Sequence, residues 1–226
     1  MSTKIFIVRH GEATGNIDRV FHGQSNSELT ENGHLQAKIV ATRLAHEKID
    51  AIYASDLTRA ITTAQYIARE HHLEVQIDAR LKEINGGDWE NQTFAEISIK
   101  WAQIFDDFQH KPLTAQLPNG ESVLALRQRG IEAISEIVCK HPNQTVCIVT
   151  HGTMIRALLT YYLKLGDDQM SQLAWHDNAS ISNLIFDEDE CEVLYHGDNQ
   201  HLGELSTLSK QDWWKKFEGG DNHDHK

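Results

Sequence analysis

The sequence predicts a layered α/β fold built on a mostly parallel sheet, and three observations carry that prediction. Lys4 to Val8 (KIFIV) and Thr145 to Thr150 (TVCIVT) are short, continuous, β-rich runs of the kind found in central strands covered on both faces. Segments of helical periodicity separate such runs, so strand and helix alternate along the chain. Both runs end at a His-Gly pair, His10-Gly11 and His151-Gly152.

The elements follow in order. Thr30 to His46 and Leu57 to His71 have helical spacing, the first opened by Thr30 with Gly33 in its first turn, the second with Ser55-Asp56 as cap candidates. Ala51 to Ala54 and Glu74 to Asp78 read as short strands. Thr93 to Phe108 and Ser122 to His141 predict further helices, separated by a loop, Gln109 to Glu121, that holds Pro112 and Pro118. Thr153 to Leu163 predicts another helix. Ser180 to Asp187 and Cys191 to His196 pair as a hairpin across the acidic DEDE turn, giving the sheet at least one antiparallel neighbour. With no repeat, no linker and no composition shift, residues 1–218 are expected to form one domain, and the polar tail 219–226 to fray.

Composition narrows the partners. The 226 residues carry 40% hydrophobic and 24% charged side chains, an ordinary globular balance. A net charge of -12, from 21 Lys+Arg against 33 Asp+Glu, argues against nucleic acid or an anionic membrane as the main partner, since both require an extended basic face. An anionic substrate therefore needs a local cationic pocket. The odd set Cys139, Cys147 and Cys191, with Cys147 inside an apolar strand, predicts free thiols in a reducing cytoplasm. No run approaches the ~20 apolar residues of a membrane span, and no signal h-region precedes Arg9.

The chemistry gathers at strand ends. Arg9-His10-Gly11-Glu12 emerges at the carboxyl end of the first strand, where open α/β sheets place their ligand sites, and His151-Gly152 occupies the same setting after another strand. A single histidine after a strand is commonly a structural hydrogen-bonding residue; two in matched settings, one preceded by arginine, favour a shared pocket. Arg59, near the start of a helix, is of a type usually solvated or salt-bridged. If Arg9 and Arg59 converge, they form a planar clamp suited to phosphate and costly to bury without an anion.

The segments RHGEATGN (9–16), SELTENGHLQA (27–37), ASDLTRAITTAQ (54–65), LKEINGGDWE (81–90), PNGES (118–122) and THGTMIRALL (150–159) resemble, in this order, the histidine phosphatase superfamily, which includes the cofactor-dependent phosphoglycerate mutases. The resemblance spans about residues 4 to 200 and implies a three-layer α/β sandwich. It implies that His10 is the nucleophile, with one ring nitrogen free and the other held by a hydrogen bond, and that Glu83 is the general acid. It implies that Arg9, Arg59 and His151, joined by Asn16 and Gly152, hold the phosphate, and that Gly11 lets the chain pass closely by it. His22 and Gly23 fall where family members line the substrate, as do Glu121 and Ser122. Glu12 supports the site or acts as a cap. The reaction implied is hydrolysis of a small phosphomonoester through phosphohistidine, with no metal and no cofactor, because two arginines and two histidines supply the positive charge.

The rival within the family is the mutase, which must hold two anionic ends at once. Mutases usually carry an Arg-Arg pair in the insertion after the general acid and a Tyr three residues past it. Here Gln92 to Leu117 offers only Lys100 and Lys111 as cations beside Glu96, Asp106 and Asp107, and Gly86 stands at the Tyr position. Water is thus the expected acceptor. A binding module without activity on the same fold predicts loss of one of His10, Arg59, Glu83 or His151, and all are present. Elsewhere, Trp89, Trp101 and Trp175 read as packing, Arg156 as a helix-face ion pair, His223 and His225 as solvated, and Trp213-Trp214 as a core cover or contact surface.

Overall fold

A computed structural model describes residues 2–166, 168–188 and 190–210. Along the chain run β1 (Ser2–Arg9), α1 (Thr14–Asp18), α2 (Glu31–Leu44), β2 (Ala51–Ala54), α3 (Thr58–His71), β3 (Val75–Ile77), α4 (Phe94–Lys100), α5 (Ala102–His110), α6 (Val123–Lys140), β4 (Thr145–Thr150), α7 (Gly152–Tyr162), β5 (Ile181–Asp187) and β6 (Glu190–Asp198). One six-stranded sheet has the order β3-β2-β4-β1-β5-β6. Its first four members are parallel, β5 runs antiparallel to β1, and the β5–β6 hairpin closes that edge.

Strand alternation divides the apolar side chains between two layers. Ile5, Ile7, Ala51, Tyr53, Val146 and Ile148 point to the side covered by α6 and α7. Phe6, Val8, Ile52, Ala54, Cys147 and Val149 point to the side covered by α2 and α3. The result is the three-layer sandwich that the resemblance implies, and both layers share one sheet.

Local signals behave mostly as read. The Thr30 hydroxyl caps α2 by accepting from the Gly33 N–H at 3.0 Å. Ser122 does the same for α6 through the Ala125 N–H, at 3.1 Å. Ser55-Asp56 does not cap α3. The N-cap is Leu57, the Thr58 N–H is taken by Asn26 Oδ1 at 3.0 Å, and Asp56 pairs instead with Lys82 at 2.8 Å. Thr93 to Phe108 is two helices, broken at Trp101 (φ -132, ψ 47). The apolar stripe Phe94, Ile97, Trp101, Ile104, Phe105, Phe108 continues across the break without Gly or Pro, so nothing in the periodicity marks it. The bend wraps both helices around a cluster in which the fully buried Trp89 ring meets Phe21 and Phe108 edge-on, each at 5.5 Å. The expected loop 109–121 is partly ordered, with a 3-10 turn at Pro112–Thr114. The one-turn α1 is too short for any periodicity to announce.

Arg156 is no surface residue. It is buried on α7, donates to the Met170 carbonyl at 2.8 Å and lies 4.3 Å from the Trp175 ring. Trp213, Trp214, His223, His225 and the tail 219–226 lie outside the described residues.

Replacing Trp89 by Ala should cost about 3–5 kcal/mol, because the surrounding rings cannot collapse into the space. Denaturant titration checks this; a loss below about 1 kcal/mol would mean that α4 and α5 are not anchored through this ring.

Candidate active site

Strand register assembles the site. Parallel pairing sets Arg9 opposite Thr150 and Ala54 opposite Val149, so the next residues out, His10, His151 and Ser55, leave one sheet edge side by side. The His10 N–H bonds the Thr150 carbonyl at 3.0 Å and the Ser55 N–H bonds the Val149 carbonyl at 3.2 Å, which carries the ladder one step further. The two imidazole centroids lie 5.0 Å apart.

His10 is 4% exposed, and its Nδ1 lies 2.7 Å from the Gly11 carbonyl. A carbonyl only accepts, so Nδ1 carries the proton and Nε2 keeps its lone pair. Burial, then Arg59, then Arg9, hold the His10 pKa well below the usual histidine value, so the ring is neutral near pH 7. His151 is fully buried and neutral for the same leading reason, with Arg59 and His10 adding to it. Its Nε2 meets the Ser55 hydroxyl at 2.6 Å.

Arg59 is 3% exposed and its pKa is drawn down to about 10, mainly by burial. Its guanidinium donates to the Ser25 and Gly23 carbonyls, each at 2.8 Å, so the 23–25 loop rather than a carboxylate holds it. Arg9 keeps part of its surface exposed, donates through Nη1 to the His176 carbonyl and is also shifted down by burial. Among the described residues, Arg9 Nε and His151 Nδ1 are buried and have no hydrogen-bond partner. Such atoms converging with Arg59 around a neutral imidazole suit an anion with several acceptor oxygens.

Glu83 is half-buried and stands close enough to act electrostatically on both arginines. Its Oε1 accepts from the Ile84 N–H at 2.9 Å and its Oε2 from the Thr153 N–H, in the first turn of α7, at 3.0 Å. Gly152, the first residue of α7, lies against the Arg9 guanidinium; a Cβ there would meet Arg9 Nε at 3.4 Å. Asn16 Oδ1 accepts from the Ala13 N–H at 2.9 Å and from Asn178 Nδ2 at 3.3 Å, which fixes its amide beside the His10 loop.

The remaining assignments sort by contact. His22 is half-buried, its ring occupies the space a Cβ on Gly15 would take, and its pKa is lowered first by burial and then by Arg59. Gly23 (φ +49) presents its carbonyl to Arg59, and any Cβ there would meet Glu90 Oε1 at 2.6 Å. Gly11 does make a close approach, but to the start of α2: a Cβ would lie 2.6 Å from the Gly33 carbonyl oxygen. Glu121 is not open to a substrate, because it pairs with Arg129 at 2.8 Å, and Ser122 is the α6 cap. Glu12 is a buried support, accepting from Thr30 Oγ1 at 2.7 Å, Asn32 Nδ2 at 3.1 Å and Thr207 Oγ1 at 2.8 Å.

Sequence reasoning missed Ser55, which orients His151, and Asp177. Buried Asp177 accepts from the N–H groups of Asn178, Thr207 and Leu208 and from the Ser206 hydroxyl, tying 206–208 behind the His10 loop. No motif links these partners in sequence. Among the described residues no group of three or more His, Cys, Asp or Glu could hold a metal ion, and no helix is long and apolar enough to cross a membrane.

Residues 5–199 match the histidine phosphatase superfamily (branch 1). Phosphoserine phosphatase 1 of Hydrogenobacter thermophilus is 33% identical over 203 residues, covering 89% of this chain and 95% of that protein. Phosphoglycerate mutase-like protein 4 of Arabidopsis thaliana is 34% identical over 208 residues, covering 91% and 89%. Among solved structures, a mycobacterial glucosyl-3-phosphoglycerate phosphatase superposes with a TM-score of 0.81 at 27% identity, over 88% of this chain and 100% of that one.

Inorganic phosphate should raise the melting temperature, reaching about 2.7 kcal/mol of added stability at a hundredfold excess over its Kd. Arg59→Met should abolish the shift. A melting temperature that ignores phosphate would show that these atoms do not form an anion site.

Proposed function

We propose a reaction course for a chain that belongs to the histidine phosphatase superfamily (branch 1). The protein is a phosphatase of small phosphorylated metabolites. The observation that carries the course is the His10 Nδ1 contact with the Gly11 carbonyl, which leaves the lone pair on Nε2 of a ring that lies beside His151 and within the influence of Arg9 and Arg59. His10 Nε2 attacks phosphorus; the P–N bond forms as the ester P–O bond breaks, and Glu83 gives its proton to the departing oxygen. Arg9, Arg59 and His151 Nδ1, with the Asn16 amide and the start of α7 at Gly152, hold the equatorial oxygens while charge redistributes. Glu83, now ionised, takes a proton from water as that water attacks phosphohistidine, releasing inorganic phosphate and restoring neutral His10. His22 and Gly23 border the substrate beyond the phosphate, and the unpaired cysteines support a reducing, cytoplasmic setting.

Water as acceptor fits the ground behind α4. Lys100 is engaged with Gln92 Oε1 at 2.8 Å and lies 5.8 Å from the Trp101 ring, away from an anion-clamping role. A side chain on Gly86 would meet Phe21 at 2.7 Å, so the mutase tyrosine has no room. Turnover of a phosphomonoester panel that includes phosphoserine, run beside a phosphoglycerate mutase assay, tests the reading; cofactor-stimulated interconversion faster than hydrolysis would reverse it.

His10→Ala should abolish turnover and the acid-labile phosphoenzyme, and label recovered on His151 would refute the assignment. Glu83→Gln should lose about 10²- to 10⁴-fold on alkyl phosphates and far less on p-nitrophenyl phosphate, whose leaving group departs unprotonated. Equal losses on both substrates would give Glu83 a structural role.

A further inference from the structure

Arg129, on α6, lies outside every motif that identifies the family, yet its guanidinium is fully committed beside the proton donor. Nη1 donates to the Arg80 carbonyl at 2.6 Å and the Lys82 carbonyl at 2.8 Å; Nη2 donates to the Glu83 carbonyl and to Glu121 Oε2, each at 2.9 Å; Nε donates to Glu121 Oε1 at 2.8 Å. These bonds occupy all five guanidinium donors, so none is left for a substrate. The pair is largely shielded, with 19% of the Arg129 side chain and 15% of the Glu121 side chain exposed.

The acceptors belong to one stretch of irregular backbone. Residues 80–83 run from a 3-10 turn, Ala79–Leu81, into irregular backbone, and no strand pairing among the described residues includes them. Leu81 is fixed from the other side, where the Thr150 hydroxyl donates to its carbonyl at 2.6 Å, and Gln24 Nε2 adds a 3.0 Å bond to the Glu83 carbonyl. Glu121 extends the clasp by accepting from the Asn85 N–H at 3.2 Å. A planar fork that gathers the carbonyls of 80, 82 and 83 fixes the direction in which the Glu83 side chain leaves the backbone.

We propose that Arg129 is a positioning residue for proton transfer: it sets the Glu83 backbone so that the carboxyl meets the leaving oxygen, with Glu121 holding the fork in orientation. This rests on the reading of Glu83 as the acid. A displacement near 1 Å at a proton donor costs about 10²-fold when the step needs the proton, so the effect is selective for poor leaving groups.

The test uses the full chain with phenyl phosphate, a poor leaving group, and p-nitrophenyl phosphate, a good one. Arg129→Met should lose at least ~10-fold more kcat on phenyl phosphate than on p-nitrophenyl phosphate, with phosphohistidine still forming from the latter. In a Glu83→Gln background the same substitution should add no selective loss, because Arg129 acts through that carboxyl. Glu121→Gln, which leaves every carbonyl with its donor, should shift the ratio in the same direction by less and covers the case in which Arg129→Met fails to fold. Equal losses on both substrates, or a selective loss that persists without Glu83, overturns the proposal. If the unmodified protein forms no phosphohistidine from either substrate, the reading of the site falls first and takes this inference with it.

Discussion

Parallel pairing of β1 with β4 is the constraint on which the site depends. Each strand in isolation delivers a histidine to its own end, and the register that sets Arg9 against Thr150 brings those ends to the same height. A slip of one residue would turn Ile5 and Ile7 from the α6–α7 layer to the α2–α3 layer and exchange the two apolar faces, so the core and the register enforce one another. The fully buried Ile5, Ile7, Val8, Ile148 and Val149 fix the alignment that places the two imidazoles 5.0 Å apart.

That alignment creates an electrostatic demand. Arg59 is buried without a carboxylate bound to it, and its hydrogen bonds go to the neutral carbonyls of Gly23 and Ser25. Arg9 is held likewise by the carbonyl of His176. Carbonyl dipoles orient a guanidinium without cancelling its charge, so both cations act on the buried His10 ring. The same charges depress both histidines, adding to the effect of burial, and keep His10 unprotonated. A neutral imidazole and its cationic surround, the two conditions the proposed reaction requires, are thus effects of one arrangement.

Around this centre the carboxylates divide into supports and Glu83, the group proposed as the proton donor. Glu12, Asp177, Glu90 and Glu121 each accept several hydrogen bonds that fasten loops from distant parts of the chain. Glu90, for instance, joins the Gln24 N–H and Ser25 hydroxyl to the Gly86 N–H, which locks the loop that carries the Arg59 acceptors. Glu83 alone among them adjoins both arginines and the first turn of α7.

Much of this organisation is legible in the amino-acid sequence. Buried strands declare themselves by continuous β-rich runs because both of their faces are apolar, and RHG and THG at strand ends mark the carboxyl edge of the sheet. Contiguous segments such as RHGEATGN and ASDLTRAITTAQ carry the residues proposed to bind phosphate because strand-to-loop chemistry is local. What the sequence does not determine is which polar residues meet across long separations. Ser55 reads as a helix cap and instead orients His151, 96 positions away. Glu121 reads as substrate-facing and instead pairs with Arg129. The Trp101 break leaves the helical stripe intact, so periodicity passes over it. Local pattern fixes which face of an element is apolar and what its ends present; hydrogen-bond partners of buried polar groups depend on the packing of whole layers, and only the tertiary structure decides those.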